Sequence, residues 1–185
     1  MGLRAGELTP GSGRLSPPTP ETQAAVASSV IPRRSSDYPV FVATYSFQWR
    51  GEFANEELNA LHAEAFAHPI LSIDWIGQVQ AHSLGWVTAR ESGELIGFVN
   101  VPWDGAMHAF IVDTIVSAES QRHGIGTRLV DIAAHEATAV GCAWLHVDFD
   151  EEHRAFYLGR CGFRPTAAGL RALGRQPEGV GAVVR

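Results

Sequence analysis

The sequence predicts a mixed α/β domain with a mostly antiparallel sheet, and three observations predict it. Two β-rich stretches, residues 84–90 and 95–101, flank a turn that holds Ser92 and Gly93, which is the pattern of a hairpin. A third run over residues 108–116 carries Phe110, Ile111, Val112, Ile115 and Val116 after another turn at 102–106, so a third antiparallel strand follows. The period then changes: Ile125, Leu129, Ile132, Ala133, Ala137 and Val140 share one helical face ahead of a buried-strand candidate at 143–149. A strand, helix, strand crossover of this kind makes one parallel pair among antiparallel neighbours.

The remaining elements follow in chain order. Residues 1–36 are crowded with Pro, Ser, Thr and Gly, including Pro17, Pro18 and Pro20, and read as a disordered extension with little to bury. Val40, Phe41, Val42, Tyr45 and Phe47 suit a first strand at 39–47. Leu58, Leu61, Ala65 and Phe66 give a helix over 55–66, with Asn55 as its cap and Pro69 as its stop. A shorter helix covers 72–80, capped by Ser72. Gly141 ends the long helix. After the strand at 143–149 come a short helix at 152–160 and a hairpin-like segment of Phe163 with 170–173, and residues 175–185 form a Gly-rich tail. The folded domain is therefore expected over 37–174.

With 185 residues, 45% of them hydrophobic, the chain suits a single domain, and its net charge of −6 argues against a nucleic-acid surface. Its two cysteines, Cys142 and Cys161, make neither a disulfide framework nor a paired ligand motif, which fits a reducing cytoplasm. No apolar run near Arg4 and Arg14 resembles a secretory signal, and none approaches the ~18 residues of a membrane span. His135 and Glu136 begin like a zinc-protease motif, but Ala139 stands where the second histidine belongs. The eight histidines show no metal-binding spacing. No metal is expected.

The informative segment is Gln121, Arg122, His123, Gly124, Ile125, Gly126 and Thr127, lying after a strand and opening a helix. The first N–H groups of a helix lack intrahelical acceptors and sit at the positive end of its dipole, so an anion docks there. Gly124 and Gly126 keep side chains out of its way, and Arg122, His123 and Arg128 add positive potential. The bland alternative is a tight strand-to-helix turn. A dinucleotide fingerprint needs a further glycine where Leu129 stands, and a nucleotide-hydrolase phosphate loop needs a G-K-S/T ending that this loop lacks.

Here the sequence resembles the GNAT superfamily of N-acetyltransferases, whose motif Q/R-x-x-G-x-G/A is matched by Gln121, Gly124 and Gly126. The likeness continues in Ile115 and Val116 before the loop, and in the run from Ala155 through Tyr157 to Gly162 and Phe163. The resemblance implies that amides of residues 121–127 hold the pyrophosphate of acetyl-CoA, the acyl donor. It implies that backbone groups of Ile115 and Val116 run beside the pantetheine arm, that the fourth and fifth strands splay to admit the thioester, and that Tyr157 protonates the leaving thiolate. Asp150 and His153 depart from the Asn and Ala common at those positions, Asp150 remaining in the implied cofactor set. For Tyr157 the alternative is simple aromatic packing.

The acceptor amine arrives protonated and must lose a proton before it attacks. Asp113, which interrupts an apolar strand, leads as the base, against the alternative of an outward-facing aspartate, because alternation does not settle its face. Asp148, Asp150, His146 and His108 are weaker candidates. Cys142 and Cys161 read as packing. The five tryptophans read mostly as core or hairpin residues, yet Trp49, Trp75 and Trp103 lie in segments that wall the acceptor site in GNAT relatives. If two line the cleft, the acceptor carries an apolar or cationic moiety.

The combined reading is an N-acetyltransferase acting directly, in a ternary complex, on a small-molecule primary amine, without nucleic acid or membrane. A protein N-terminal or lysine acetyltransferase, a catalytically silent acyl-CoA sensor, and an interaction protein working through its proline-rich arm are the alternatives. The resemblance also allows a homodimer.

Overall fold

In a computed structural model of the chain, which describes residues 45–171, 173 and 174, five strands form one sheet. In spatial as in chain order they are β1 (Tyr45–Trp49), β2 (Ser83–Glu91), β3 (Glu94–Pro102), β4 (His108–Val116) and β5 (Trp144–Val147). The first four are antiparallel neighbours and β4 pairs parallel with β5, as the pattern predicts. Helices α1 (Asn55–Ala65) and α2 (Trp75–His82) cover one face, and α3 (Ile125–Ala139) covers the other. All described residues belong to the unit Phe41–Arg185. The expected extension 1–36, the first part of the strand expected at 39–47, and the tail 175–185 lie outside the described residues.

Local chemistry explains most boundaries. Ser92 and Gly93 both take positive φ, 50° and 92°, between the paired Glu91 and Glu94; this two-residue turn matches the twist of its flanking strands. Helix α3 ends in a Schellman motif: Gly141, at φ 96°, donates to Thr138 O at 3.0 Å while Cys142 N–H reaches Ala137 O at 3.0 Å. Leu129, Val130 and Ala133 are buried under the sheet with Val87, Val99 and Ile111, and burial of each large apolar side chain contributes about 1.5–3 kcal/mol. On the opposite face Leu58, Leu61, Trp75 and Val79 enclose Phe98 and Ile115.

The caps differ from expectation. Ala54 precedes α1 and its N–H donates to Glu57 Oε2 at 2.9 Å, while Asn55 serves the neighbouring helix, donating to Asp74 Oδ1 at 2.9 Å and accepting from Ile76 N at 2.9 Å. Asp74 rather than Ser72 caps α2, accepting from Gly77 N at 3.1 Å.

Three later elements are also corrected. The fifth strand is shorter than 143–149 and is not buried: Trp144 is 51% exposed, because β5 has a strand neighbour only on its β4 side among the described residues. The helix expected at 152–160 is a 3-10 turn, Glu151–His153, followed by a π-helical turn, Ala155–Arg160, closed by Cys161 N–H to Phe156 O at 3.0 Å. The segment after Gly162 forms no strand among the described residues; Pro165 brings no donor to a ladder, and Leu170 and Leu173 stay exposed.

β4 contains a bulge that decides the site. Phe98 faces Ile115 but Asn100 faces Val112, so Asp113 and Thr114 together oppose Val99, and Asp113 takes a φ of 53°. Aspartate tolerates this left-handed conformation because its short polar side chain costs little there. Without the extra residue Ile111 and Ile115 would share a face. With it, Ile111 packs on the α3 side and Ile115 on the α1 side.

Candidate active site

The β4–β5 ladder runs from His108↔Trp144 only to Ile111↔Val147. Beyond it β5 has ended, so Val112 to Val116 keep β3 on one side and, among the described residues, no strand on the other. The strands thus splay, and the open side of β4 offers backbone donors and acceptors to an extended, amide-containing ligand, as a sheet edge accepts an added strand. Ile115 and Val116 lie in this open half. Their side chains pack on opposite faces, which leaves their backbone as the part a ligand can read.

The open half leads into the predicted loop. The Gln121 amide nitrogen donates to Val116 O at 3.2 Å and folds the loop back on the strand end, and His123 Nδ1 lies 3.3 Å from Ser120 O, which can only accept. Arg122 and Gly124 both take left-handed φ, 65° and 82°, curling the chain so that successive amides converge. The first α-helical bond of α3 is Arg128 N–H to Gly124 O at 3.0 Å; the amides of Ile125, Gly126 and Thr127 therefore have no acceptor within the helix. Gly126 has a second reason to lack a side chain, since a Cβ would meet the Phe156 ring at 3.2 Å.

Across the gap the π-helical turn brings Tyr157 inward. Its ring is only 7% exposed, stacked on Phe149 at 5.0 Å and edge-on to Phe156 and Phe163. Burial pushes its phenol above the ordinary value, an effect partly offset by the neighbouring Thr114 hydroxyl, so the group stays protonated through neutral pH. Thr114 Oγ1 is itself enclosed and, although near enough to act on the Tyr157 phenol, makes no hydrogen bond of good geometry within the described residues. An orphaned buried hydroxyl beside a protonated phenol, at the open half of β4, is a polar place suited to a ligand's sulfur or carbonyl. Packing and donor roles are compatible here, because the aromatic contacts of Tyr157 are made by its ring and not by its hydroxyl. Cys161 nearby is pushed up to about 11, mainly by burial, and so remains a packed thiol; Cys142 makes a long contact of 3.9 Å with Ala106 O.

Asp113 sits on the bulge, half-buried, on the α1 side of β4. Its Oδ1 lies 3.8 Å from Nε2 of His62, a residue the sequence reading missed although it shares a helical face with Leu58. Asp150 leads into the 3-10 turn, its carbonyl accepting from His153 N at 2.9 Å, and stands apart from the loop 121–127 in sequence and on another element. His108 and His146 contact each other at 2.8 Å, with His146 stacked on Phe110 at 4.9 Å, on the paired half of the two strands. The core reading of the tryptophans fits two of Trp49, Trp75 and Trp103. Trp75 is 4% exposed core, its Nε1 donating to Asn59 Oδ1 at 3.0 Å, and Trp49 lies on β1 at the far edge of the sheet, leaving Trp103 as the exposed member of the three.

The open strand half, the amides at the start of α3 and the orphaned Thr114 hydroxyl suit a long ligand with a diphosphate at one end and a thioester at the other, and the residues present fit acetyl-CoA. Within the described residues no group of His, Cys, Asp and Glu could hold a metal ion, and no helix is long and apolar enough to cross a membrane.

A family model described as acetyltransferase (GNAT) matches residues 43–163. Among solved structures, a GNAT family acetyltransferase from Streptococcus pneumoniae is similar with a TM-score of 0.59 at 20% identity, over 72% of this chain and 100% of that one. An aminoglycoside N-acetyltransferase in complex with CoA gives 0.59 at 18% identity, over 72% and 97%. Glucosamine-6-phosphate N-acetyltransferase from Arabidopsis thaliana gives 0.56 at 14% identity, over 70% and 97%. Identities this low speak to fold alone. No curated protein matches the sequence significantly.

Proposed function

Because the chain belongs to the GNAT acetyltransferase family, in which acyl-CoA supplies the acetyl group, we propose that it acetylates the primary amine of a small molecule by direct transfer within a ternary complex. One observation carries the reading: the β4–β5 ladder stops at Ile111↔Val147, so half of β4 stays open beside the unsatisfied amides of α3. In this reading the amides of Arg122 to Thr127 bind the diphosphate, with Gln121 bracing the loop against Val116, and the backbone of Ile115 and Val116 aligns the acyl arm. Bound acetyl-CoA supplies an activated acyl carbonyl with a thiolate leaving group.

Asp113 takes a proton from the incoming ammonium, which frees the lone pair for attack. Tyr157 delivers its phenolic proton to the departing sulfur, and its raised pKa keeps that proton available at neutral pH. Asp150, at the start of the turn that precedes Tyr157, is kept in the cofactor set on the family resemblance alone. The two related structures whose names specify an aminoglycoside and glucosamine-6-phosphate make amino-sugars the first acceptors to try.

The test is thiol release from acetyl-CoA by the full chain against a panel of amino-sugars, polyamines and lysine peptides. Tyr157→Phe keeps the aromatic cluster and should lower kcat by about 10²–10³-fold while leaving CoA affinity and thermal stability unchanged. CoA binding without turnover on any amine would favour the sensor reading, and full activity in both Tyr157→Phe and Asp113→Asn would remove the catalytic assignment.

A further inference from the structure

Behind the bulge lies a chain of imidazoles that the reading above leaves unused. His62 on α1 is 3% exposed, with Nε2 3.8 Å from Asp113 Oδ1 and Nδ1 2.7 Å from His68 Nε2. His68, half-buried in the turn after α1, places its own Nδ1 2.7 Å from the carbonyl oxygen of Pro69. These contacts dictate where protons reside. A carbonyl only accepts, so His68 Nδ1 carries a proton. When both rings are neutral, His68 Nε2 is then a lone pair and must accept from His62 Nδ1–H. That leaves His62 Nε2 bare, directed at a carboxylate.

We propose that His62 and His68 form a proton relay that drains the acceptor ammonium through Asp113, an inference that rests on the acetyltransfer reading. With both rings neutral and Asp113 a carboxylate, no proton lies between His62 Nε2 and Asp113, and the 3.8 Å between them is a contact awaiting one. On reaction an ammonium N–H bond breaks and its electron pair stays on the amine nitrogen. The proton passes to Asp113 and then to His62 Nε2, which restores the carboxylate. The proton already shared between the rings can shift across 2.7 Å from His62 Nδ1 to His68 Nε2. The positive charge then rests on half-exposed His68, where water takes it up, rather than on a ring packed against Phe66 and Trp75 at 4.6 and 4.9 Å. A lone charge there would be poorly solvated.

The titratable groups facing His62 are Asp113 from β4 and His68 from the turn. α2 presents Trp75, and Glu64 on α1 itself is turned away, accepting from Ala118 N at 2.7 Å. Asp113 is the catalytic residue in this scheme, while His62 and His68 act through it. The alternative is a purely structural histidine pair.

Two measurements on the full chain decide. Long-range nitrogen-15 spectra, assigned with His62→Gln and His68→Gln, should show neutral His62 as the Nδ1–H tautomer. An Nε2–H tautomer overturns the relay. With glucosamine and spermidine as probe amines, His68→Ala should lower kcat by about tenfold or more, leave CoA affinity unchanged, and recover activity with added imidazole. Lost activity without imidazole rescue also overturns it. If the wild type acetylates no amine while His62 shows the expected tautomer, the acetyltransfer reading has failed and the proton arrangement stands by itself.

Discussion

Replacing Gly124 separates a conformational requirement from a steric one. Its φ is 82°, and a Cβ built there meets nothing within 4 Å, so an alanine would suffer only from the left-handed backbone, at about 1–2 kcal/mol. For a chain of this size each kcal/mol lowers Tm by about 2–4 °C, and Gly124→Ala should therefore melt about 2–8 °C lower. Asparagine visits the left-handed region more readily, so Gly124→Asn should cost distinctly less than alanine although it is the larger residue. The same φ aims the amides that open α3. If alanine relaxes the loop and one charge-assisted hydrogen bond is lost, CoA affinity should fall by about tenfold or more, that is about 1.4 kcal/mol. Thermal melting and titration calorimetry with CoA measure the two effects. Gly126→Ala is the steric control, because its Cβ would press the Phe156 ring at 3.2 and 3.3 Å and its cost lies in packing. Equal losses for Gly124→Ala and Gly124→Asn, or none in either, would refute the conformational argument.

Two further predictions concern stability. Asn59 is buried and joins α1 to the start of α2, donating to Ile73 O at 3.0 Å and accepting from Ile73 N at 3.2 Å and Trp75 Nε1 at 3.0 Å; Asn59→Ala orphans these groups and should cost about 2–4 kcal/mol, seen as a lower urea midpoint at unchanged slope. A loss under about 1 kcal/mol would mean that water replaces the amide there. Arg90 grips Glu57 with two bonds of 2.9 and 2.8 Å, and this hydrogen bonding, more than their Coulomb attraction, holds the Glu57 carboxyl below its ordinary 4.5. A depressed folded pKa contributes stability that is present above the unfolded value and lost as pH falls through the folded one. Glu57→Gln should accordingly flatten the acid limb of stability against pH by about 0.5–1 kcal/mol, a small amount because the pair is partly solvated. An unchanged acid limb would assign that limb to other carboxylates.

What could be read in the sequence is what local interactions decide. The bounds of β4, the turn at Ser92 and Gly93, and the end of α3 at Gly141 follow from side-chain period and from glycine's access to positive φ. The loop from Gln121 to Thr127 was legible for the same reason, since a strand, two glycines and a helix start are neighbours in the chain. Caps were not legible: Asn55 and Ser72 have the right chemistry at the right places, yet Asn55 bonds across to Asp74 and Ile76, a choice set by how α1 and α2 pack. The face of Asp113 was hidden as well. A one-residue bulge inverts every later side chain of β4 without altering its composition, and only pairing with β3 reveals it. Nor could the sequence bring His62 to Asp113, or leave β5 with an open side, because these depend on which elements meet in space. Elements are chosen by near neighbours along the chain; the juxtapositions that could do chemistry are chosen by packing between residues far apart in it.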